Sequence, residues 1–143
     1  MYYRNHNDLC VQVLSHFGIG KVVYISGKAP NTCTNFSIDF IPTQPSNYRE
    51  DNIHLRLKVQ LEQPQVVVRN TLTENSWGVE ERDGGMPFSP GQPFTVMVVA
   101  QQFGFEVAVN GNHFTTYRYR QTPISTMVVM LTGVPFIQKI EYF

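Results

Sequence analysis

The chain has 143 residues, a length that suits one domain with a single hydrophobic core. Lys plus Arg and Asp plus Glu each number 11, so there is no net charge to attract nucleic acid or an acidic membrane surface. No apolar run reaches the roughly 20 residues of a membrane span, and the opening MYYRNHNDLC lacks the features of a signal peptide. We therefore expect one soluble domain over residues 1–143, without a nucleic-acid partner and without membrane insertion.

Cys10 and Cys33 are the two cysteines, and neither belongs to a CxxC motif. This spacing suggests neither a disulfide framework nor a metal site, and it suits a reducing compartment. We expect no disulfide, no metal and no cofactor. The expected location is cytoplasmic, with an additional extracellular location, reached without a signal peptide, left open.

Short runs of aromatic and β-branched residues recur between Gly, Pro, Asn and Asp, and no window has a convincing helical stripe. The dipeptide Asn110-Gly111 predicts a two-residue primed hairpin turn. Antiparallel strands with one apolar face need a second sheet to cover them, so the sequence predicts an all-β sandwich of two antiparallel sheets. The predicted strands are Lys21–Ser26, Asn35–Phe40, Asn52–Glu62, Gln65–Thr71, Phe94–Ala100, Gly104–Asn110, His113–Tyr119, Met127–Leu131 and Ile137–Tyr142.

The stretch from Ile53 to Gln60 alternates strictly between apolar and polar residues. Side chains on one face of a strand stand about 7 Å apart, so this pattern predicts a polar row above an apolar row. Such a polar row is either a solvated face or part of a binding surface. The predicted core row is Ile53, Leu55, Leu57 and Val59, and the predicted polar row is His54, Arg56, Lys58 and Gln60.

The next predicted strand brings another polar residue toward this row. A short connection leads into Gln65–Thr71, which we expect to pair antiparallel with the preceding strand, so that Asn70 lies near His54. The same alternation turns Arg69 toward the core side. We expect a strand end there, from which the arginine stem snorkels to water.

Trp77, Glu80 and Arg82 follow Asn70 at short range, and Trp77 is the only tryptophan in the chain. A sugar ring displays hydroxyls around its rim and a patch of C–H groups on one face. Planar polar side chains bind the hydroxyls, and an aromatic surface covers the C–H patch. The pattern therefore indicates a saccharide site, with a core position for Trp77 as the alternative.

These residues, at this spacing, resemble the sugar-site pattern of the galectins, which reads His-x-Asn-x-Arg, then Val-x-Asn, then Trp-Gly-x-Glu-x-Arg. The likeness extends from about Lys21 to the end of the chain, through NFSIDF, MPFSPGQPF and VAVNGNHFTTYRYR. The corresponding positions here are His54-x-Arg56-x-Lys58, Val68-Arg69-Asn70 and Trp77-Gly78-Val79-Glu80-Glu81-Arg82.

The resemblance implies a jelly-roll β-sandwich whose concave face binds β-galactosides without metal or covalent chemistry. By the same resemblance, His54 bonds the axial galactose hydroxyl and Trp77 stacks on the C–H face of galactose. Asn70 bonds the primary hydroxyl, helped by Glu80, and Arg82 with Glu80 contacts the adjoining sugar.

Two positions depart from the family pattern. Arg56 stands where the galectins have asparagine, and Lys58 stands where they have arginine. Lysine lacks the planar fork of arginine, and arginine adds bulk and charge that asparagine lacks. We hypothesise that both residues contact the ligand and that the groove prefers anionic sugars, such as sulfated or sialylated galactosides. The alternative is a galectin-fold interaction module that has lost β-galactoside binding.

A third class of function, glycoside hydrolysis, needs two carboxylates that flank the scissile bond. Glu80 is the only acid that we expect in the groove, because Glu81 points to the opposite side of the strand. The sequence therefore predicts a lectin and not an enzyme. Its expected partners are glycans of glycoproteins or glycolipids, and a homodimer or a second lectin domain in a longer chain both stay open.

Overall fold

The structure is a computed structural model that describes residues 2–4, 9–44, 47–48, 52–122, 127–133 and 136–143. These described residues form β-strands and contain no helix, so none of them provides a helical membrane span. The strands are β1 (Tyr2–Arg4), β2 (Leu9–Leu14), β3 (Val22–Lys28), β4 (Asn35–Gln44), β5 (Asn47–Tyr48), β6 (Ile53–Gln60), β7 (Val66–Thr73), β8 (Ser76–Trp77), β9 (Pro93–Ala100), β10 (Gly104–Val109), β11 (Asn112–Arg118), β12 (Met127–Thr132) and β13 (Phe136–Tyr142).

The strands form two sheets, which we call the groove sheet and the back sheet. The groove sheet has the order β1-β2-β12-β4-β6-β7-β8, with β5 paired to β4. The back sheet has the order β11-β10-β9-β3-β13. Neighbouring strands pair antiparallel in both sheets. The prediction of an all-β sandwich of two antiparallel sheets is confirmed.

The core lies between the inner faces of the two sheets and is rich in phenylalanine. Phe36 of β4 stacks on Phe94 of β9 at 5.3 Å between ring centroids, and both rings meet the edge of Phe88. Phe40 of β4 packs on Phe105 of β10 at 5.6 Å. Aromatic pairs in these geometries add to the free energy gained by burial, so the rings of β4 help to hold the two sheets together.

Every predicted strand overlaps an observed one, and the predicted turn is present. Asn110 and Gly111 have φ angles of 52° and 83°, as a primed hairpin turn requires. The sequence did not predict β1, β2, β5 or β8. Of these, β1, β5 and β8 are two or three residues long, so they are defined by pairing with a neighbour and not by a pattern of their own.

One residue of the predicted core row faces the other way. A β-bulge interrupts the pairing of β6 with β7 between Ile53 and Arg56, and Ile53 pairs with Leu72. Ile53 therefore packs with Ile41 and Met130 on the groove side of the sheet. The strict alternation was wrong at this position because a bulge inserts one residue and shifts the side-chain phase before it.

Arg69 is fully buried and does not snorkel from a strand end. Its Nη1 donates to the backbone oxygens of Val67 (3.0 Å) and Asp83 (2.6 Å), and its Nη2 donates to the Asp83 carboxylate (2.8 Å). The guanidinium also lies over the ring of Phe114 on β11, at 5.2 Å. The charge is stabilised by these partners, which tie β7 to the segment after Glu81 and to the back sheet.

We expect Phe36→Ala to lower the free energy of unfolding by about 3–5 kcal/mol, because it removes the ring that packs on both Phe88 and Phe94 and leaves a cavity. Urea denaturation followed by circular dichroism measures this change. The matched control is Phe103→Ala, at an exposed ring, which we expect to cost less than about 1 kcal/mol. Equal losses for the two variants would contradict this account of the core.

Candidate functional site

An open groove of about 270 Å³ lies on the outer face of the groove sheet. It forms where β6, β7 and the segment from β8 onward lie side by side. Arg56 stands opposite Asn70 in the β6–β7 pairing, and Lys58 stands opposite Val68. The lining residues are Arg56, Lys58, Val68, Asn70, Trp77, Gly78 and Glu80.

Asn70 is buried in the floor of the groove, and its amide has a defined orientation. Its Oδ1 accepts hydrogen bonds from the backbone N–H of Thr71 (2.8 Å) and from Nη1 of Arg120 (3.0 Å). Its Nδ2 donates to the backbone oxygen of Gly78 (2.9 Å). Both partners of Oδ1 are donors and the partner of Nδ2 is an acceptor, so all three contacts require the same orientation of the amide.

Arg56 is held between a buried acid and the indole of Trp77. Its Nε and Nη2 donate to the two carboxylate oxygens of Asp39, each at 2.8 Å. This bidentate contact raises the pKa of Arg56. The Cζ atom of Arg56 lies 4.7 Å from the centroid of the Trp77 ring, so the guanidinium covers one face of the indole.

A second hollow, of about 300 Å³, adjoins the groove on the other side of the Arg56–Trp77 pair. Both residues line both hollows. The remaining lining of the second hollow is mainly apolar, and the bulge in β6 adds Ile53 to it. Those lining residues are Asp39, Ile41, Ile53, Leu72, Met130 and Thr132.

The acids that follow Trp77 have different partners. Glu80 lines the groove, and its Oε2 accepts from Nε of Arg82 at 2.8 Å and lies 2.8 Å from Nη2 of the same residue. Glu81 bridges to Arg69 through its backbone and accepts from Nη2 of Arg120 at 2.9 Å. The two carboxylates thus bind different arginines, and only Glu80 of the two lines the groove.

His54 is buried beside the bulge and does not line the groove. Its backbone oxygen accepts from Oγ1 of Thr71 at 2.9 Å. Burial lowers the pKa of His54 from 6.5 to about 4, because the charged imidazolium loses its hydration. The imidazole is therefore neutral at pH 7.

The structure brings together Arg56, Lys58, Asn70, Trp77 and Glu80 of the predicted site residues. Arg82 does not line the groove but forms an ion pair with Glu80, which does, and His54 lies in the sheet beneath the surface. Trp77 is 44% exposed, so it is not a core residue. Among the described residues, no cluster of three or more His, Cys, Asp or Glu side chains could hold a metal ion.

Sequence reasoning missed two residues that shape the groove, Asp39 and Arg120. Asp39 had a signal, since it alternates with Phe40 on a strand that precedes β6, and the β4–β6 pairing sets it opposite Arg56. Arg120 had none, because it follows β11 of the back sheet and reaches Asn70 only through the tertiary structure.

Two antiparallel sheets with an open polar groove on one outer face are the architecture of a lectin sandwich. The Galactoside-binding lectin family matches residues 9–140, and the chain belongs to this family. The 32 kDa β-galactoside-binding lectin of Haemonchus contortus is 32% identical over 121 residues, which cover 85% of this chain and 40% of that protein. Galectin-7 of Mus musculus is 26% identical over 125 residues, which cover 87% of this chain and 89% of that protein.

A solved complex of toad ovary galectin with thio-digalactose has the same fold, with a TM-score of 0.80. The identity is 19%, and the match covers 93% of this chain and 98% of that chain. The predictions of a galectin jelly-roll sandwich and of a lectin that is not an enzyme are confirmed by the family and the fold.

Between pH 7 and pH 4, we expect the free energy of unfolding of the wild type to fall by about 2–3 kcal/mol more than that of His54→Gln. As pH falls from 6.5 to about 4, the unfolded state takes up a proton on His54 that the folded state does not, so acid favours unfolding. Urea denaturation at both pH values measures the difference. His113→Gln, at an exposed histidine, keeps His54 in place and should retain the full acid loss. A wild-type loss no larger than that of His54→Gln would contradict the burial effect.

Proposed function

We propose that this galactoside-binding lectin takes galactose-containing glycans with an anionic group, such as sulfate or a sialyl carboxylate, in the groove on the groove sheet. The observation that supports this most directly is the balance of donors and acceptors along the groove. Its polar side chains are mainly hydrogen-bond donors, so they suit a ligand that is rich in acceptors. Sulfate and carboxylate groups offer several acceptor oxygens and no donor when ionised.

Asn70 is the clearest case, because its contacts leave only donor capacity. Both acceptor sites of its Oδ1 are used by Thr71 and Arg120, and one N–H of Nδ2 bonds Gly78. Among the described residues, the second N–H of Nδ2 has no partner. The group that Asn70 offers a ligand is therefore a donor.

Lys58 adds positive charge beside that donor. Arg56 is neutralised by Asp39, whereas Lys58 is exposed and has no ion-pair partner within the described part of the chain. Glu80, the acid of the lining, is paired with Arg82. Among the described residues that line the groove, Lys58 is thus a cation whose charge is not already compensated, which favours a charge-assisted bond to an anionic group.

We expect Lys58→Met to weaken binding of a sulfated lactosamine about five- to tenfold, because one charge-assisted bond at a partly solvated site is lost. Binding of neutral lactosamine should change less than about twofold, since no anionic group is involved. Isothermal titration with both sugars measures the two changes.

Lys28→Met is the matched control, because Lys28 is exposed on β3 of the back sheet. It should leave both affinities unchanged. A glycan array of the wild type compares neutral with sulfated lactosamine. An equal or larger response to the neutral sugar would contradict the anionic preference.

A second candidate function, an interaction module that has lost β-galactoside binding, is favoured by a different observation. The guanidinium of Arg56 already occupies an indole face of Trp77, and Asp39 holds it there through two hydrogen bonds. Neutral galactose must displace this cation to stack on that face. The basic and aromatic surface then fits an acidic protein partner, because charge complementarity serves either kind of ligand.

We expect Arg56→Asn to increase the response of Trp77 fluorescence to lactose, because the substitution uncovers the indole face. Trp77 is the only tryptophan, so the emission reports this site. The substitution also removes a cation from buried Asp39, so it is made both alone and with Asp39→Asn. Arg118→Asn, at an exposed arginine, is the control.

The wild-type result separates the two candidates. If the wild type binds neither lactose nor sulfated lactosamine and Arg56→Asn binds lactose, the result favours the interaction module. A wild type that binds sulfated lactosamine favours the lectin with anionic preference. An equal response to lactose in the wild type and in Arg56→Asn would show that Arg56 does not obstruct the indole.

A further inference from the structure

We propose that Arg120, which lies outside the sugar-site pattern, is a positioning residue that makes Asn70 a donor toward the ligand and so selects ligands with an acceptor at that point. This inference rests on the proposed function of the groove for its consequence on specificity. Its structural part, the orientation of one amide, is independent of any ligand.

The first step is the contact between Arg120 and Asn70. Arg120 follows β11 of the back sheet, and its Nη1 donates to Oδ1 of Asn70 at 3.0 Å. Guanidinium has only donors, so it bonds the oxygen of an amide and never the nitrogen. A charged donor also makes a stronger bond than a neutral one, so a flipped Asn70 amide would place its NH₂ group against a cation.

The second step is the way in which Arg120 is itself held. Its Nη2 donates to Oε2 of Glu81 at 2.9 Å, and its guanidinium lies 5.0 Å from the centroid of the Tyr117 ring. The hydroxyl of Tyr117 lies 2.5 Å from Oγ1 of Thr71, the residue beside Asn70. Since the guanidinium is fixed by an acid and an aromatic ring, it is preorganised before any ligand arrives.

The third step is the close fit of this guanidinium beneath Gly78. A Cβ atom at position 78 would lie 2.9 Å from Nη1 of Arg120 and 3.3 Å from Oδ1 of Asn70. A larger residue at this position would therefore require the guanidinium of Arg120 to shift away from Asn70. Gly78 also supplies the oxygen that accepts from Nδ2, so the glycine and the arginine act on the two ends of the same amide.

The consequence is that the specificity of the groove is set partly from the opposite sheet. With Arg120 in place, Asn70 presents an N–H to the ligand, and a ligand oxygen must accept it. Without Arg120, the contacts to Thr71 and Gly78 remain, but Oδ1 loses its charged donor. The amide is then held less firmly and turns more often to present an oxygen, which would repel a sulfate or carboxylate and accept from a hydroxyl.

The test begins on the protein without sugar. Nuclear magnetic resonance of the Asn70 side-chain amide should show one Nδ2 proton protected from exchange with water in the wild type. Arg120→Met should speed that exchange by about tenfold or more, the factor expected when a hydrogen bond to a charged group is lost. Arg118→Met is the matched control, because Arg118 is exposed and lies over Phe103, and it should leave the signal unchanged. An unaltered Asn70 signal in folded Arg120→Met overturns the proposal.

A double-mutant cycle with sulfated lactosamine then separates positioning from general stability. If Arg120 acts through Asn70, Arg120→Met combined with Asn70→Ala should weaken binding no more than the stronger single variant. Losses that multiply would overturn the proposal. If the wild type binds no sugar, the proposed function fails, but the amide signal still decides the role of Arg120.

Glu81→Gln provides a second variant in case Arg120→Met does not fold, which a thermal melt reveals. Glu81 is partly exposed, and its substitution leaves the arginine in place but removes its carboxylate partner. We expect a smaller increase in amide exchange, about two- to fivefold, because the guanidinium loses one of its supports. No change in exchange for Glu81→Gln, where Arg120→Met does not fold, also overturns the proposal.

Discussion

The antiparallel pairing of β6 with β7 is the constraint on which the groove depends. It sets Arg56 opposite Asn70 and Lys58 opposite Val68, and it directs these side chains to the outer face while Leu57 and Val59 fill the core. A slip of one residue would turn every side chain to the wrong face, so the buried row and the binding row stabilise the same register. Binding chemistry and core packing are therefore two consequences of one set of backbone hydrogen bonds.

The bulge in β6 changes this regular pattern at one end of the groove. It turns Ile53 outward to meet Ile41, Leu72 and Met130, and it leaves His54 buried. The result is a surface divided by the Arg56–Trp77 pair, with polar groups on one side and apolar groups on the other. A bulge beside a binding site commonly redirects one side chain in this way.

Charge in this sandwich is organised through pairs that cross between strands and sheets. Asp39 on β4 holds Arg56 on β6, and Glu81 holds Arg120 as it reaches from the back sheet. Arg69, buried beneath the groove, binds the backbone and carboxylate of Asp83. The position of Asn70 thus depends on a charged contact that Arg120 makes from the opposite sheet, and hydrogen bonds to ionised groups are stronger than neutral ones.

Periodicity in the sequence was sufficient for the sandwich, for the overlapping strands and for the Asn110-Gly111 turn, because alternation of apolar residues and the φ preference of Asn-Gly are local properties. Alternation on one strand and its pairing with the next also nominated Arg56, Lys58 and Asn70. Trp77 and Glu80 were nominated by the chemistry of sugar binding and by the galectin-like spacing of the segment that follows. The bulge at Ile53, the burial of His54 and Arg69, and the covering of Trp77 by Arg56 were decided by the tertiary structure. So was the contact of Arg120 with Asn70. Each of these depends on which distant residues meet across strands and sheets, and no spacing along the chain encodes that meeting.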